Sequence, residues 1–252
     1  MSLIEISNRT LPYPLLSFSG KLLNYISVHY HLYDSFLNLM RSFQVEMGFR
    51  ERLVREKTNI VIEGFARSGN TFALCAFLFA QKKKIAVAHH IHTPIQIIKG
   101  VKLGIPTVVL IRDPKETMLS YLVRGGPYII PEIALQKYIH YYESIKPYLD
   151  DVVIGEFKEV TTDFNSIIKK INKKFGTNYA GFVHSEKNIE KIFSTITQLN
   201  KRYDQGRMNR IPRPSVTKEL LKMRLKPKLN NLKTQKLFKR AKIVYNEICI
   251  QT

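Results

Sequence analysis

The sequence predicts an α/β fold in three layers, with a parallel β-sheet flanked by helices on both faces. From Asn59 onward, short apolar runs alternate with helical segments, a pattern typical of βα units. The chain has 252 residues and is 44% hydrophobic, so it can bury one full-sized core, and a second large domain is not expected. We therefore predict a single domain over residues 1–252, composed of a helical N-terminal extension (1–57), an α/β core (58–200) and a basic loop with C-terminal helices (201–252).

The elements of the core follow from the hydrophobic runs and the residues that interrupt them. Four runs rich in Val and Ile predict the strands Ile60–Glu63, Ile85–Ala88, Thr107–Ile111 and Val152–Ile154. Helical spacing of apolar residues predicts the helices Gly69–Gln81, Pro94–Lys102, Pro114–Val123, Pro131–Tyr148, Thr162–Phe175 and Lys187–Lys201. Gly176 is expected to end one of them in the left-handed conformation. A basic loop at 202–216 and two helical stretches separated by Pro227 complete the chain.

The charge of the chain is strongly basic and unevenly distributed. There are 40 Lys and Arg against 20 Asp and Glu, which gives a formal net charge of +20. Residues 201–252 carry 15 of these cations and three acidic residues, so more than half of the excess lies in the last fifth of the chain. Such an excess indicates an anionic partner, whether a nucleotide, a polyanion, nucleic acid or an acidic membrane surface.

The sequence also indicates a compartment. It contains no apolar run of the ~18 residues that a membrane span requires, and its first ten residues do not resemble a secretory signal. Cytoplasmic localisation is therefore expected. Cys75 and Cys249 make neither a disulfide framework nor a zinc site, and both are expected to be reduced.

The strongest local signal is a glycine-bounded loop between the first strand and the first helix. After Ile60–Glu63 comes Gly64-Phe65-Ala66-Arg67-Ser68-Gly69-Asn70-Thr71-Phe72, which has the outline of a P-loop, the phosphate-binding loop of many α/β proteins. In such a loop the backbone N–H groups and the following helix N-terminus surround one anion. The ATP-binding form has Lys after its second glycine, where this chain has Asn70. This departure argues against ordinary NTP hydrolysis, and a tight turn without a ligand is the alternative.

A second strand-to-helix junction carries another candidate anion ligand. Arg112 follows the third strand, and ligands of open α/β sheets bind beyond the carboxyl ends of the strands. Asp113, Pro114 and Glu116 predict the helix start, as N-cap, first helical residue and capping-box partner. Ser120 lies about two turns along, on the same face as that start. Arg112 and Ser120 are expected to hold one phosphate, unless Arg112 forms a salt bridge and Ser120 is a surface hydroxyl.

Three histidines follow the second predicted strand, at positions 89, 90 and 92. A third ligand from Cys, Asp or Glu at suitable spacing is missing nearby, so no metal site is predicted. A histidine at a strand end is either a hydrogen-bonded structural residue or a catalytic base.

Together these three segments resemble the sulfotransferase family that uses 3′-phosphoadenosine 5′-phosphosulfate (PAPS). The segment Arg67–Phe72 resembles its 5′-phosphosulfate loop, Arg112-Asp113-Pro114 with Ser120 resembles its 3′-phosphate element, and Ile91-His92-Thr93-Pro94 resembles the segment with its catalytic base. The resemblance covers residues 59–124 and extends more weakly to about 176. Asn70 replaces a Thr of the family pattern, and the C-terminal Arg-Lys-Gly motif is missing. The resemblance therefore implies a divergent member.

The resemblance implies transfer of a sulfuryl group from PAPS to a hydroxyl or amine without a metal, leaving adenosine 3′,5′-bisphosphate. Arg67 is then expected to stabilise the leaving phosphate and the transferred group, and Phe72 to stack on adenine. The catalytic base is expected to be His92, with Glu63 as the alternative. The expected donor ligands are Arg67, Ser68, Gly69, Asn70, Thr71, Phe72, Arg112 and Ser120, with Arg210 and Arg213 in the basic loop as weaker candidates.

Two other functions compete with this interpretation. A P-loop kinase for nucleotides or small molecules fits the glycine frame but not Asn70, and a non-enzymatic binder of polyanions or anionic membranes fits the basic C-terminus. The acceptor is open among polysaccharide, lipid, protein and small alcohol, and nucleic acid is not the expected partner. Tyr128, Tyr138, Tyr141 and Tyr142 either line the acceptor pocket or form a helical core stripe.

Overall fold

The predicted parallel sheet is present in the protein. The structure is a computed structural model that describes residues 52–126, 129–203 and 211–250. Its sheet has four parallel strands in the order β2-β1-β3-β4. The strands are β1 (Ile60–Gly64), β2 (Val87–His89), β3 (Thr107–Ile111) and β4 (Val153–Glu156). The second strand lies two residues later than predicted at its start, since Val87 is the residue that pairs with Ile60.

Helices connect and follow these strands. Those of the core are α1 (Asn70–Ala80), α2 (Pro94–Lys102), α3 (Pro114–Gly125), α4 (Pro131–Ile145), α5 (Phe157–Thr162), α6 (Phe164–Phe175) and α7 (Glu186–Tyr203). The C-terminal part contains α8 (Val216–Leu225), a 3₁₀ turn at Lys226–Leu229, and α9 (Leu232–Cys249). The predicted break at Pro227 is therefore confirmed, and Gly176 ends α6 with φ of 62° as expected.

The sheet lies between two helical layers, as its alternating side chains require. Val108 and Leu110 point to one face and pack with buried residues of α1, α6 and α7. Val109 and Ile111 point to the other face and pack with buried residues of α3, α4 and α9. Since all five residues of β3 are buried, the strand is covered on both sides. This arrangement confirms the predicted three-layer α/β fold.

Two predicted helices are interrupted in the structure. The helix predicted over Pro131–Tyr148 ends at Ile145 and continues as a 3₁₀ turn, Lys146–Asp151, because Pro147 has no N–H and disfavours the α conformation before it. The helix predicted from Thr162 is divided at Asp163, whose φ of −150° is extended. Its carboxylate accepts a hydrogen bond from the Ser166 N–H and so begins a new helix.

Most of the predicted N-terminal extension, and residues 204–210 of the predicted basic loop, lie outside the described residues. At 52–57 the chain forms turns rather than the predicted helix, with Leu53 and Val54 buried. The Val54 N–H donates to the Gln96 side chain over 2.8 Å, which attaches this segment to α2. None of the helices within the described ranges is long and apolar enough to cross a membrane.

Gly64, at the end of β1, should tolerate no side chain. A Cβ there would lie 2.3 Å from the backbone oxygen of Leu110 on the neighbouring strand. We expect Gly64→Ala to lower the free energy of unfolding by about 3 kcal/mol, as overpacking against a backbone does. Gly104→Ala is the control, because its site is open and only its left-handed φ of 65° costs about 1 kcal/mol. Urea denaturation of both variants measures the difference, and equal losses would contradict the close approach.

Candidate active site

The strand order places a topological switch point between β1 and β3. From β1 the chain passes through α1 to β2 on one side, and β3 then lies on the other side of β1. The two loops that leave β1 and β3 therefore diverge, and ligands of open α/β sheets bind at such a switch point. The loop after β1 carries Arg67 and the loop after β3 carries Arg112. Topology alone thus brings two predicted anion ligands to one edge.

The loop after β1 has the curled backbone that anion binding requires. Arg67 and Gly69 both have left-handed backbones, with φ of 75° and 93°. For Arg67 this conformation is strained, since side chains other than Gly, Asn and Asp rarely adopt it. The Ser68 N–H donates to the Phe65 carbonyl over 3.2 Å, which closes the turn. α1 follows at once with no acidic residue in its first turn, so its positive end meets the loop without a local counter-charge.

Arg67, Ser120 and Arg112 meet at this loop. The Arg67 Nε donates to the Ser120 hydroxyl over 3.0 Å, and the Arg112 Nη1 donates to the Arg67 carbonyl over 3.3 Å. The Arg112 guanidinium also lies 3.9 Å from the centre of the Phe157 ring, a cation–π contact that helps to hold it in place. Asp113 caps α3 through the Lys115 and Glu116 N–H groups, as predicted. Two motifs that are distant in sequence therefore form one cationic site.

Two of the residues predicted to bind the nucleotide donor, Ser68 and Asn70, use their side chains for hydrogen bonds inside the protein. The Ser68 side chain is fully buried and lies 3.2 Å from the Tyr142 hydroxyl. Tyr142 gives its own proton to the Leu110 carbonyl over 2.8 Å, so Ser68 is the donor. The Asn70 Nδ2 donates to the Phe65 carbonyl over 3.0 Å. Both side chains brace the loop from inside, and their contact with a phosphate stays a prediction.

Phe72 lies in the core beneath the loop. Its side chain is only 7% exposed, and its ring centre is 6.4 Å from that of Phe182 and 5.9 Å from that of Phe193. Arg213 is placed above the same cluster, since its guanidinium lies 5.2 Å from the Phe193 ring and pairs with Glu190. Adenine stacking on Phe72 stays a prediction, as does a contact between Arg213 and the 3′-phosphate. Arg210 lies outside the described residues.

His92 is held by the end of β1 in one tautomer. Its Nδ1 lies 2.8 Å from the Gly64 carbonyl and 3.2 Å from the Glu63 carboxylate. Both oxygens only accept hydrogen bonds, so Nδ1 carries the proton and Nε2 is the basic nitrogen of the neutral ring. The side chain is 29% exposed, whereas Glu63 is fully buried. Gly64 and Glu63 thus fix the orientation of the His92 ring, and its role as the catalytic base stays a prediction.

A second histidine, His90, connects His92 to the loop. The His90 Nε2 lies 3.0 Å from the Thr71 hydroxyl, and its ring centre is 5.7 Å from that of His92. His90 and His92 both have φ of 58°, so the chain turns sharply between β2 and α2 to place them. The sequence grouped the histidines but gave no sign that His90 would be the one in contact with Thr71. Within the described ranges, no three His, Cys, Asp or Glu side chains form a candidate metal site.

Two lysines of α8 also lie close to this site, and sequence reasoning missed them. Burial and the neighbouring charges of Arg67, Arg124 and Lys222 lower the pKa of Lys218 to about 8. The Lys222 Nζ lies 3.4 Å from the Glu116 carboxylate at the start of α3. The sequence showed these residues only as part of a basic stretch, and no motif distinguished them from the other lysines.

The tyrosines of α4 belong to the core. Tyr138, Tyr141 and Tyr142 are at most 2% exposed. The Tyr138 hydroxyl donates to the Arg112 carbonyl over 2.8 Å, next to the Tyr142 bond to β3. These three tyrosines therefore belong to the core next to the site, as the alternative of a helical core stripe predicted. Tyr128 lies outside the described residues.

Comparisons with known proteins give a likeness of fold. No family model and no curated protein matches the sequence. Among solved structures, one match is the crystal structure of mouse sulfotransferase SULT7A1 complexed with PAP. It is 14% identical, covers 77% of this chain and 92% of that chain, and has a TM-score of 0.39. At this identity the likeness concerns the fold alone.

His89 and His90 should make the stability of the protein sensitive to mild acid. Burial lowers the pKa of His89 to about 4, against the pull of Glu63, and burial lowers the pKa of His90 as well. As the pH falls below the ordinary histidine pKa, these residues take up protons in the unfolded state but not in the folded state. The free energy of unfolding therefore decreases as the pH drops. We expect a loss of about 1 kcal/mol per histidine between pH 7 and pH ~5.5 in urea denaturation. His89→Gln should reduce this dependence, and an unchanged dependence would contradict the assignment.

Proposed function

We propose that the protein is a sulfotransferase that moves the sulfuryl group of PAPS to a hydroxyl or amine of an acceptor. The observation that carries this proposal is the convergence of Arg67, Ser120 and Arg112 at the switch point of the sheet. The donor has two anionic groups on one nucleotide, and the site offers two guanidinium groups from separate strand ends. A site for one phosphate would not need the second strand end.

The residues present fit such a donor. Guanidinium groups bind phosphate and sulfate oxygens through paired N–H donors, and both arginines are prearranged by bonds to the loop or to Ser120. Arg67, with the N-terminus of α1, would hold the 5′-phosphosulfate, and Arg112 the 3′-phosphate. The donor supplies an activated sulfuryl group, and Arg67 would stabilise negative charge as that group leaves the phosphate. Adenine stacking on Phe72 requires the cluster around Phe193 to open.

The position of Asn70 favours this donor over ATP. In kinases with a P-loop, a lysine at this position contacts the β- and γ-phosphates. Here Asn70 points into the loop and bonds to the Phe65 carbonyl, so no long cation extends from this position. The positive charge lies instead on Arg67 and Arg112, at the sides of the loop. We therefore place kinase activity second.

His92 would act as the general base. Since Nδ1 is held by Gly64 and Glu63, Nε2 remains to take the proton of an acceptor hydroxyl or amine. Glu63 would then stabilise the protonated ring, as a buried carboxylate does for a histidine in an acyl-transfer triad. Glu63 itself is fully buried and accepts from the Ile91 and Gly64 N–H groups. It is therefore a positioning residue rather than the base that meets the acceptor.

Donor binding is the first test. Isothermal titration should show tighter binding of adenosine 3′,5′-bisphosphate than of ATP with Mg²⁺. Arg67→Ala and Arg112→Ala should each weaken bisphosphate binding by about tenfold or more, because each removes a charge-assisted contact. Arg55→Ala is the control, since Arg55 is exposed and precedes β1, whereas the loop follows the other end of that strand. Tight, Mg²⁺-dependent binding of ATP with no affinity for the bisphosphate would contradict the proposal and favour the kinase.

The base is tested separately from the donor site. His92→Ala should keep bisphosphate affinity within about twofold while formation of bisphosphate from PAPS falls by ~10²-fold or more, the usual contribution of a general base. The assay uses a panel of phenols, sugars and amines as acceptors with the wild-type protein as reference. Full turnover in the variant would remove His92 from the mechanism.

Donor affinity should also depend on pH through Lys218. A bound anion favours the protonated amine, whose pKa in the free protein is lowered to about 8 by burial and the cations around it. Affinity for the bisphosphate should therefore fall as the pH rises from ~7 to ~9, a range in which the phosphates already carry their full charge. Lys218→Met should flatten this profile. Identical profiles for the two proteins would show that Lys218 does not sense the ligand.

A further inference from the structure

Helix α8 departs in part from the usual amphipathic arrangement, because its inward side carries Lys222 as well as Leu225, which packs against the core. Surface helices normally turn apolar side chains inward and charged ones outward. On α8, Val216, Leu220 and Met223 are 78%, 53% and 70% exposed. On the opposite face, the Lys222 side chain is only 15% exposed. The helix therefore turns cations toward the protein, where burying a charge is costly unless a counter-charge is present.

The counter-charge at Lys222 is shared with the proposed donor site. The Glu116 carboxylate lies 3.4 Å from the Lys222 Nζ and 3.5 Å from the Arg112 Nη2 through the same oxygen. The carboxylate side chain is 49% exposed, whereas the Arg112 side chain is only 13% exposed. An exposed anion thus bridges two largely buried cations. Glu219 also contacts the Lys222 Nζ, over 2.8 Å, but is even more exposed at 62%.

The cations of this region outnumber the acids that act on them. Besides Arg112 and Lys222, there is Lys218, whose pKa is lowered first by burial and then by the charges of Arg67, Arg124 and Lys222. The acids that act on Arg112 are Glu116, Glu219 and Asp113, and they do not match this concentration of positive charge. A phosphate dianion would match it better, because it carries more charge and more acceptor oxygens than a carboxylate.

We propose that Lys222 and Arg112 together form the subsite for the 3′-phosphate of the donor, and that Glu116 holds this subsite as a counter-ion which the phosphate displaces. This inference rests on the proposed function and names a residue, Lys222, that gives selectivity for a doubly phosphorylated nucleotide. It also assigns a role to part of the basic C-terminal charge. Helix α8 contacts α3 at this subsite, through Lys222 and Glu116.

The experiment compares two nucleotides that differ only in the second phosphate. Adenosine 3′,5′-bisphosphate and adenosine 5′-monophosphate are titrated by calorimetry into the full chain and three variants. Lys222→Met keeps most of the apolar stem and removes the charge. Glu116→Gln removes the counter-ion and keeps the shape. Arg224→Met is the matched control, because Arg224 lies on the same helix and is exposed.

The expected results separate the subsite from general electrostatics. Lys222→Met should lose about tenfold or more in affinity for the bisphosphate and about twofold or less for the monophosphate, since only the former places a phosphate beside Lys222. Glu116→Gln should bind the bisphosphate several-fold more tightly, and Arg224→Met should resemble the wild type. Thermal unfolding of each variant without nucleotide shows whether it is folded.

Three negative results would have different meanings. If the wild type binds the bisphosphate and Lys222→Met behaves like Arg224→Met, or weakens both nucleotides equally, the subsite is wrong while the proposed function stands. If Glu116→Gln binds the bisphosphate less tightly, the displacement of Glu116 is wrong. If the wild type binds neither nucleotide, the proposed function and the subsite are both overturned.

Discussion

A buried carboxylate at the end of β1 determines how the loops of this protein are arranged. Glu63 is fully buried, and its oxygens accept from the Gly64 N–H over 3.1 Å and the Ile91 N–H over 2.7 Å and lie 3.2 Å from the His92 ring. A carboxyl group removed from water is tolerated only when such donors surround it. The loops after β1 and β2 must therefore meet around Glu63, and this meeting places His90 beside Thr71 and holds the His92 ring by its Nδ1.

The same edge of the sheet collects positive charge because parallel strands all end there. β1 and β3 deliver Arg67 and Arg112, and α8 adds Lys218 and Lys222 from the end of the chain. Like charges in a partly buried setting repel one another, and this repulsion is one reason that the pKa of Lys218 is lowered. Within the described part of the chain, no acid is among the groups that shift the pKa of Lys218, so this repulsion is present in the free protein. Under the proposed function, binding of a multiply charged anion would relieve the repulsion and so contribute to affinity for the ligand.

Sequence reasoning predicted the elements better than it predicted the contacts between them. Strand β3 and helix α2 match their predicted bounds, since Val- and Ile-rich runs and Pro at a helix start are local signals. The bond between Arg67 and Ser120 is not local, because it depends on β1 and β3 being neighbours. The orientation of Asn70 into the loop and the pairing of Glu63 with His92 were equally invisible, since a sequence names residue types but not the direction of a side chain.

The basic C-terminus shows why a charge count alone is ambiguous. Lys222 and Arg224 are two residues apart and identical in formal charge, yet one side chain is largely buried against Glu116 and the other is exposed. At helical spacing two residues lie on nearly opposite faces, so a single helix divides its cations between the protein and the solvent. Only the inward-facing Lys222 lies close to other charges in a region of low dielectric, where a charge interaction is several times stronger than in water. Local placement, and not the excess of +20, therefore determines which cations face the interior of the protein and which face the solvent.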